Sequence, residues 1–164
     1  MSDDISQRVV GDLIEGGIDF VTTVPCKQLA GVIEELDRSD QIHHVPSNKE
    51  DEGMGLCAGA FMGGKTPCII MQNTALGVTI NTLATLIQFY QIPLPMLISF
   101  RGELGEPVAC QVEMAIHTKP LLQQLGIRQH GSVVGRHDLG GQPLQGVPRQ
   151  RVALVGAEDQ AHGR

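Results

Sequence analysis

Glu50, Asp51 and Glu52 place three carboxylates in a row, and very small residues follow at once: Gly53, Gly55, Ala58, Gly59 and Ala60. Residues without bulk let a second backbone or a flat ligand come close. Two readings of the acidic triplet compete. Negative side chains in the first turn of a helix complement its dipole, and that reading suits Asp51 and Glu52. A carboxylate held at a strand-to-helix junction beside a close-packed surface can instead lose hydration and share a proton with a ligand nitrogen.

Three other clusters carry polar side chains: PCK (25–27), QNTALG (72–77) and RGELGE (101–106). Asn73 or Thr74 could cap a following helix. Arg101 has the planar, two-pronged geometry that suits an oxyanion, and it could equally pair with Glu103 or Glu106. The four cysteines form no CxxC pair and show no zinc spacing. Cys57 and Cys68 lie in apolar runs and are expected to be buried small hydrophobes, whereas Cys26 falls in a loop. His43 and His44 fall on a strand and receive no role.

Two nucleotide motifs match by letter. Residues 59–66, GAFMGGKT, fit GxxxxGK[ST]. The phosphate-binding version needs a strand, the loop and then a helix. Here a helix precedes and a strand beginning with Pro67 follows, so the stretch is expected to be a glycine helix cap and a turn. A phosphate-binding module that depends on Lys65 stands as a second class of function. Residues 53–58, GMGLCA, fit GxGxxA behind a strand. A pyrophosphate there would face three carboxylates, against only about half a positive charge from the helix dipole.

These clusters need elements to position them. Ile5, Val9, Val10, Leu13 and Ile14 share one helical face, predicting a helix over 3–16 ended by Gly16-Gly17. FVTTVP (20–25) is a β-branched strand stopped by Pro25. Helices are predicted at 27–36, 50–62, 76–90 and around 118–125, and strands at 42–45, 67–72 and 94–100. Helices alternating with short, continuously apolar strands predict an α/β fold: a doubly wound, mainly parallel sheet with helices on both faces. Ligands gather at the carboxyl ends of such strands. PCK, PSNKE (46–50), QNTALG and RGELGE all fall there.

The 164 residues suit one hydrophobic core. Aromatics make up 3%, so that core must be aliphatic. A net charge of −6 does not fit a nucleic-acid footprint. No apolar run reaches membrane-spanning length, and MSDDISQRVV is unlike a signal peptide, so a cytoplasmic protein is expected. From Arg128 onward the chain is rich in Gly, Gln and Arg and has no Lys. Only RVALV (151–155) has strand character there, and a loosely ordered tail is expected.

SNKEDEGMGLCAGAFMGGK, followed by TPCIIMQNTALG, resembles the pyrimidine-binding domain of thiamine diphosphate enzymes. VPCKQL and MLISFRGELGE fit the same pattern. Within that class the chain is similar to the alpha subunits of sulfopyruvate decarboxylase, with phosphonopyruvate decarboxylase as kin. The resemblance covers residues 1–127, most specifically 47–77. It implies a thiamine diphosphate pyrimidine-binding domain over 1–127 and an atypical tail over 128–164. The family usually continues with an apolar helix and a last strand. A reading frame shifted near residue 128, or divergence of the C-terminus, would each account for the departure.

The resemblance also implies roles. The family's glutamate lies nine residues before the glycine matched by Gly59, which is Glu50. Glu50 would hydrogen-bond N1′ of the aminopyrimidine, favour its imino tautomer and so serve proton transfer as the catalytic residue. Gln72, Asn73 and Thr74 match the loop that lies along the cofactor. Lys27, Arg101 and His117 are the implied substrate contacts, for a sulfonate or phosphonate head. The implied reaction turns 3-sulfopyruvate into sulfoacetaldehyde and CO2, the family's step in coenzyme M synthesis or sulfonate breakdown; phosphonopyruvate is the alternative substrate. Family members hold the cofactor's diphosphate through Mg²⁺ with a GDG motif on a second domain. This chain has no GDG, so a separate beta subunit is implied as its supplier. The site would then lie between subunits, and this chain alone would be inactive. A partner that only completes an interface is the non-catalytic alternative.

Overall fold

A computed structural model of the chain describes residues 3–102, 106–129 and 154–155. Helix α1 (Asp3–Glu15) leads into strand β1 (Phe20–Thr23). A 3-10 turn (Lys27–Leu29) opens α2 (Ala30–Arg38), followed by β2 (His43–Pro46), α3 (Glu50–Met62) and β3 (Pro67–Gln72). A second 3-10 turn (Asn73–Ala75) opens α4 (Leu76–Thr82), which widens into a π-helical segment (Leu83–Gln88). Strand β4 (Met96–Ser99) and helix α5 (Cys110–Gln124) follow, and a short β5 (Leu154–Val155) pairs with β4.

All strand pairs are parallel, in the order β2-β1-β3-β4-β5. Successive residues of β3 feed opposite faces. Cys68 and Ile70 meet Val10, Leu13, Val32 and Leu36 of α1 and α2. Ile69 and Met71 meet Met54, Cys57, Leu83 and Leu122 of α3, the π segment and α5. The expected doubly wound α/β sheet, covered on both faces by an aliphatic core, is what the chain forms. Burial raises the thiol of Cys57, and that of Cys68 to about 12. Both behave as small hydrophobes, as their apolar runs suggested. No helix among the described residues is long and apolar enough to cross a membrane.

Helix α3 and strand β3 carry the site, and their local signals are strong. Gly64, at φ +87°, ends α3. The amide of Lys65 donates to the carbonyl of Ala60 and that of Gly64 to Phe61, both at 2.9 Å. This is the glycine-dependent helix stop that the sequence predicts. The expected helix over 76–90 is instead α4 plus the π segment.

The helix expected around 118–125 begins earlier, at Cys110. Its start was illegible because Ala109 caps it without a side-chain hydrogen bond. Its outer face also carries exposed Val112 and Ile116, which blurs the apolar periodicity that marks a surface helix. Of the expected strand at 151–155, Leu154 and Val155 are in β5, and residues 151–153 lie outside the described residues. The expected loose tail and its two explanations fall almost wholly outside them as well.

Candidate functional site

The chain leaves β1 toward β2 on one side and returns to β3 on the other, so the sheet switches direction between β1 and β3. The carboxyl ends of strands at such a switch form a natural ligand crevice. Two residues fix how α3 meets that edge. Ser47 is buried; its hydroxyl accepts from Thr22 Oγ1 at 3.4 Å and donates to the carbonyl of Lys49 at 3.2 Å. Gly53 lies against β1 and β3. A Cβ there would stand 2.9 Å from Ser47 Oγ, 3.2 Å from Ile69 Cδ1 and 3.3 Å from Thr22 Cγ2. Only a residue without a side chain lets α3 start so close to the sheet.

That placement separates the three carboxylates. Glu52 is exposed and its Oε2 accepts from the amide of Asn48 at 3.3 Å. Asp51 Oδ1 accepts from the amide of Glu52 at 3.0 Å. Asp51 thus serves an open amide of the helix start, and Glu52 ties the helix to the residue before its N-cap. Glu50 shares its helix face with buried Gly53, Met54 and Cys57. It is half-buried and has no hydrogen bond or ion pair among the described residues. Lys49, which the sequence reading passed over, stands exposed beside it at the N-cap.

The other candidates lie at the ends of β1, β3 and β4. Lys27 is exposed, without an ion pair among the described residues. Cys26 lies in the loop after β1, as expected, and is buried there. Its Sγ lies 3.3 Å from Ser99 Oγ and donates to Gln72 Oε1 at 3.8 Å. Ser99, within the strand expected over 94–100, ends β4 and carried no signal of its own in the sequence. Thr74 is half-buried. His117 is exposed on α5, one residue from buried Thr118.

Asn73 caps no helix. Its side chain is fully buried. Nδ2 donates to the carbonyl of Arg101 at 3.0 Å and to Thr118 Oγ1 at 3.1 Å, while Oδ1 accepts from the amide of Arg101 at 2.8 Å. Both amide hydrogens are thus spent on the scaffold.

Of the two expected acidic neighbours of Arg101, Glu106 pairs with it, and Glu103 lies outside the described residues. Nε donates to Glu106 Oε2 at 2.8 Å and Nη2 to Oε1 at 2.6 Å. The amides of Gly102 and Val108 donate to the same carboxylate at 3.1 and 3.0 Å. The Arg101 guanidinium, helped by those amides and opposed by burial, holds Glu106 down at about 2. The same carboxylate raises the Arg101 guanidinium further above its ordinary value.

The GKT stretch sits at the opposite, amino edge of the sheet. Lys65 Nζ pairs with Asp19 Oδ2 at 3.1 Å, and the Thr66 amide donates to Asp19 Oδ1 at 2.7 Å. The turn follows a helix and presents no helix N-terminus, as its sequence context predicted.

No family model matches the chain. It is 44% identical over 127 residues to the sulfopyruvate decarboxylase subunit alpha of Methanothermobacter thermautotrophicus, covering 77% of this chain and 77% of that protein. It is 40% identical over 122 residues to the subunit alpha of Methanococcus maripaludis, covering 74% of this chain and 73% of that protein. The phosphonopyruvate decarboxylase of Streptomyces viridochromogenes is 32% identical over 99 residues, covering 58% of this chain and 25% of that protein. Among solved structures, 2-oxoglutarate:ferredoxin oxidoreductase from Magnetococcus marinus superposes with a TM-score of 0.55 at 13% identity. That match covers 95% of this chain and 28% of the other, and it shows the fold alone.

Fold and relatives together define a decarboxylase subunit built on a parallel α/β sheet. In particular, the chain belongs to the sulfopyruvate decarboxylase alpha-subunit family.

Proposed function

We propose that this chain forms the pyrimidine-binding half of a thiamine diphosphate-dependent decarboxylase that converts 3-sulfopyruvate to sulfoacetaldehyde and CO2. The observation that carries the reading is Glu50: a half-buried carboxylate at the switch-point edge, unpaired among the described residues, followed by two carboxylates that are spent on backbone amides. Its setting fits an aminopyrimidine, whose ring nitrogen needs an acid to share a proton with. Gln72 and Thr74 stand at the end of β3 to meet the edge of the same ring. Thiamine diphosphate, when bound, supplies an electron sink for the bond to CO2.

The chain's own part is proton control and placement. Glu50 holds a proton at N1′ and can return it within the cycle. Lys27 offers mobile positive charge to the anionic head of the substrate, and the guanidinium of Arg101 offers directed hydrogen bonds. His117 remains a third contact to be tested by His117→Ala. A beta subunit supplies the site for the diphosphate and Mg²⁺. Support for such a partner comes from the naming of the relatives as alpha subunits. The outer face of α3 adds to it. Gly55 and Gly59 leave open space there, and Met62 is 65% exposed.

The test is CO2 release by the chain co-purified with a candidate beta chain, thiamine diphosphate and Mg²⁺, offered sulfopyruvate and phosphonopyruvate in parallel. Turnover of sulfopyruvate that falls at least about 100-fold in Glu50→Gln supports the reading. Undiminished turnover in Glu50→Gln removes the proton role. Preference for phosphonopyruvate reassigns the substrate.

A further inference from the structure

We propose that Asn73 is a positioning residue that, together with Glu106, pre-sets Arg101 as the receptor for the anionic head of the substrate. This rests on the decarboxylase reading only for the identity of that head, a sulfonate.

The geometry is one of double fixation. One side-chain amide holds Arg101 at both its N–H and its C=O, at 2.8 and 3.0 Å. Two such bonds on a single residue restrict both of its backbone dihedrals. The second hydrogen on Asn73 Nδ2 reaches Thr118 Oγ1, which in turn donates to the carbonyl of Met114 at 2.6 Å. The end of β4 is thereby tied to the end of β3 and to α5. Glu106 then fixes the side chain, taking Nε and one hydrogen of Nη2. Amides of Gly102 and Val108 hold Glu106 itself, and the Arg101 and Glu106 side chains are 13% and 6% exposed.

A guanidinium has five N–H groups. The bonds to Glu106 use its side edge, which leaves the fork of Nη1 and Nη2. Arg101 follows the end of β4 by two residues, and its backbone is bonded to Asn73 just beyond the end of β3. Arg101 therefore stands at the shared carboxyl rim of β3 and β4. A tetrahedral sulfonate can place two oxygens on such a fork. Because Glu106 neutralises the net charge, selectivity must come from directed hydrogen bonds, and so from how rigidly the fork is held. Lys27, unpaired among the described residues, can attract an anion but imposes no such geometry.

The experiment uses the complex with the beta chain, in wild type, Asn73→Ala, Asn73→Asp and Arg101→Lys. It measures sulfopyruvate KM and kcat, and by calorimetry the Kd of sulfoacetate, a sulfonate that cannot react, and of thiamine diphosphate. Asn73→Ala is expected to raise the sulfopyruvate KM and the sulfoacetate Kd about tenfold, the scale of one charge-assisted hydrogen bond. Its kcat and cofactor Kd should stay within about threefold. Arg101→Lys should raise the sulfoacetate Kd at least as much. Should Asn73→Ala fail to assemble, Asn73→Asp, which keeps the acceptor for the Arg101 amide but loses the donor to its carbonyl, is expected to show the same rise in KM and in sulfoacetate Kd.

The idea is overturned if sulfoacetate binding is unchanged in both Asn73→Ala and Arg101→Lys. It is also overturned if cofactor Kd and kcat shift as far as KM, because a general loss of structure or a cofactor contact would then explain Asn73. If the variants lose sulfoacetate while wild type releases no CO2, the positioning stands and the decarboxylase reading falls.

Discussion

Helix α3 meets the carboxyl edge of the sheet with its first turn and the amino edge with its last, and both ends carry letters that resemble a binding motif. At the first turn, Ser47 and Gly53 hold Glu50 half-buried with no partner among the described residues. At the last, the lysine of GKT is paired with Asp19 and the Thr66 amide with the same carboxylate. A helix end with open carbonyls also repels a phosphate, whereas a helix start attracts one. The two ends differ in the edge of the sheet they face, and that edge decides which of them can hold a ligand.

The largest effect expected from breaking this contrast is at the first turn. Glu50→Gln keeps the shape and removes the exchangeable proton. Decarboxylation by the assembled complex should fall by about two orders of magnitude or more. Asp51→Asn and Glu52→Gln disturb only contacts to backbone amides, so each should keep activity within about threefold. Equal losses at all three positions would mean that the triplet acts through its summed charge, and the distinction drawn for Glu50 would be lost.

Two glycines of the same helix sharpen the contrast next. Gly53→Ala puts a methyl 2.9 Å from Ser47 Oγ. Overpacking of that kind costs about 1–3 kcal/mol, against about 1 kcal/mol returned by helix propensity. A net loss of stability, with lower activity as Glu50 is displaced, is expected by thermal melting and by assay. Gly59→Ala meets nothing within 4 Å, so it should stabilise the isolated chain by up to about 1 kcal/mol. If a partner packs on that face, the same methyl weakens assembly, which analytical ultracentrifugation would register. Undiminished assembly would place the partner elsewhere.

These effects also show what was legible beforehand. Residues 50–62 and 67–72 were bounded correctly because a glycine stop and a continuous apolar run are local signals. The carboxyl-end loops were identifiable because alternation of helices and strands fixes their edge. Ser47, Ser99 and Asn73 were not. Asn73 forms its bonds 28 and 45 residues away in sequence, and an asparagine before a helix looks locally like a cap. The partners of Arg101 could be narrowed to two glutamates by proximity in the chain, but the two-pronged bond to Glu106 is visible only in the fold.

Glu106 gives a smaller effect, which acid should expose. Its carboxyl sits at about 2 in the fold, against an ordinary 4.5, because Arg101 and two amides favour the charged form. A depressed pKa contributes stability that is fully present above 4.5 and is lost as the pH falls toward 2. Wild type should therefore melt above Glu106→Gln near neutrality, and the gap should narrow as the pH drops through that window. A gap that is independent of pH would mean that shape and amide contacts, not charge, make the clamp.

The smallest effect is expected at the far end of α3. Lys65 and Asp19 are 51% and 39% exposed in their side chains, and an ion pair of that exposure contributes about 0–1 kcal/mol. Lys65→Ala should leave decarboxylation unchanged and lower the melting temperature only slightly, with the difference fading in high salt as the pair is screened. A phosphate-binding reading makes the opposite demand, that the wild-type chain bind a nucleotide and that Lys65→Ala lose it. Calorimetry with ATP and Mg²⁺ decides between them. Heat of binding that disappears in Lys65→Ala would give the amino edge a ligand of its own, and the contrast between the two ends of α3 would collapse. A null titration, with activity intact, leaves the motif letters as a helix stop held by a surface ion pair.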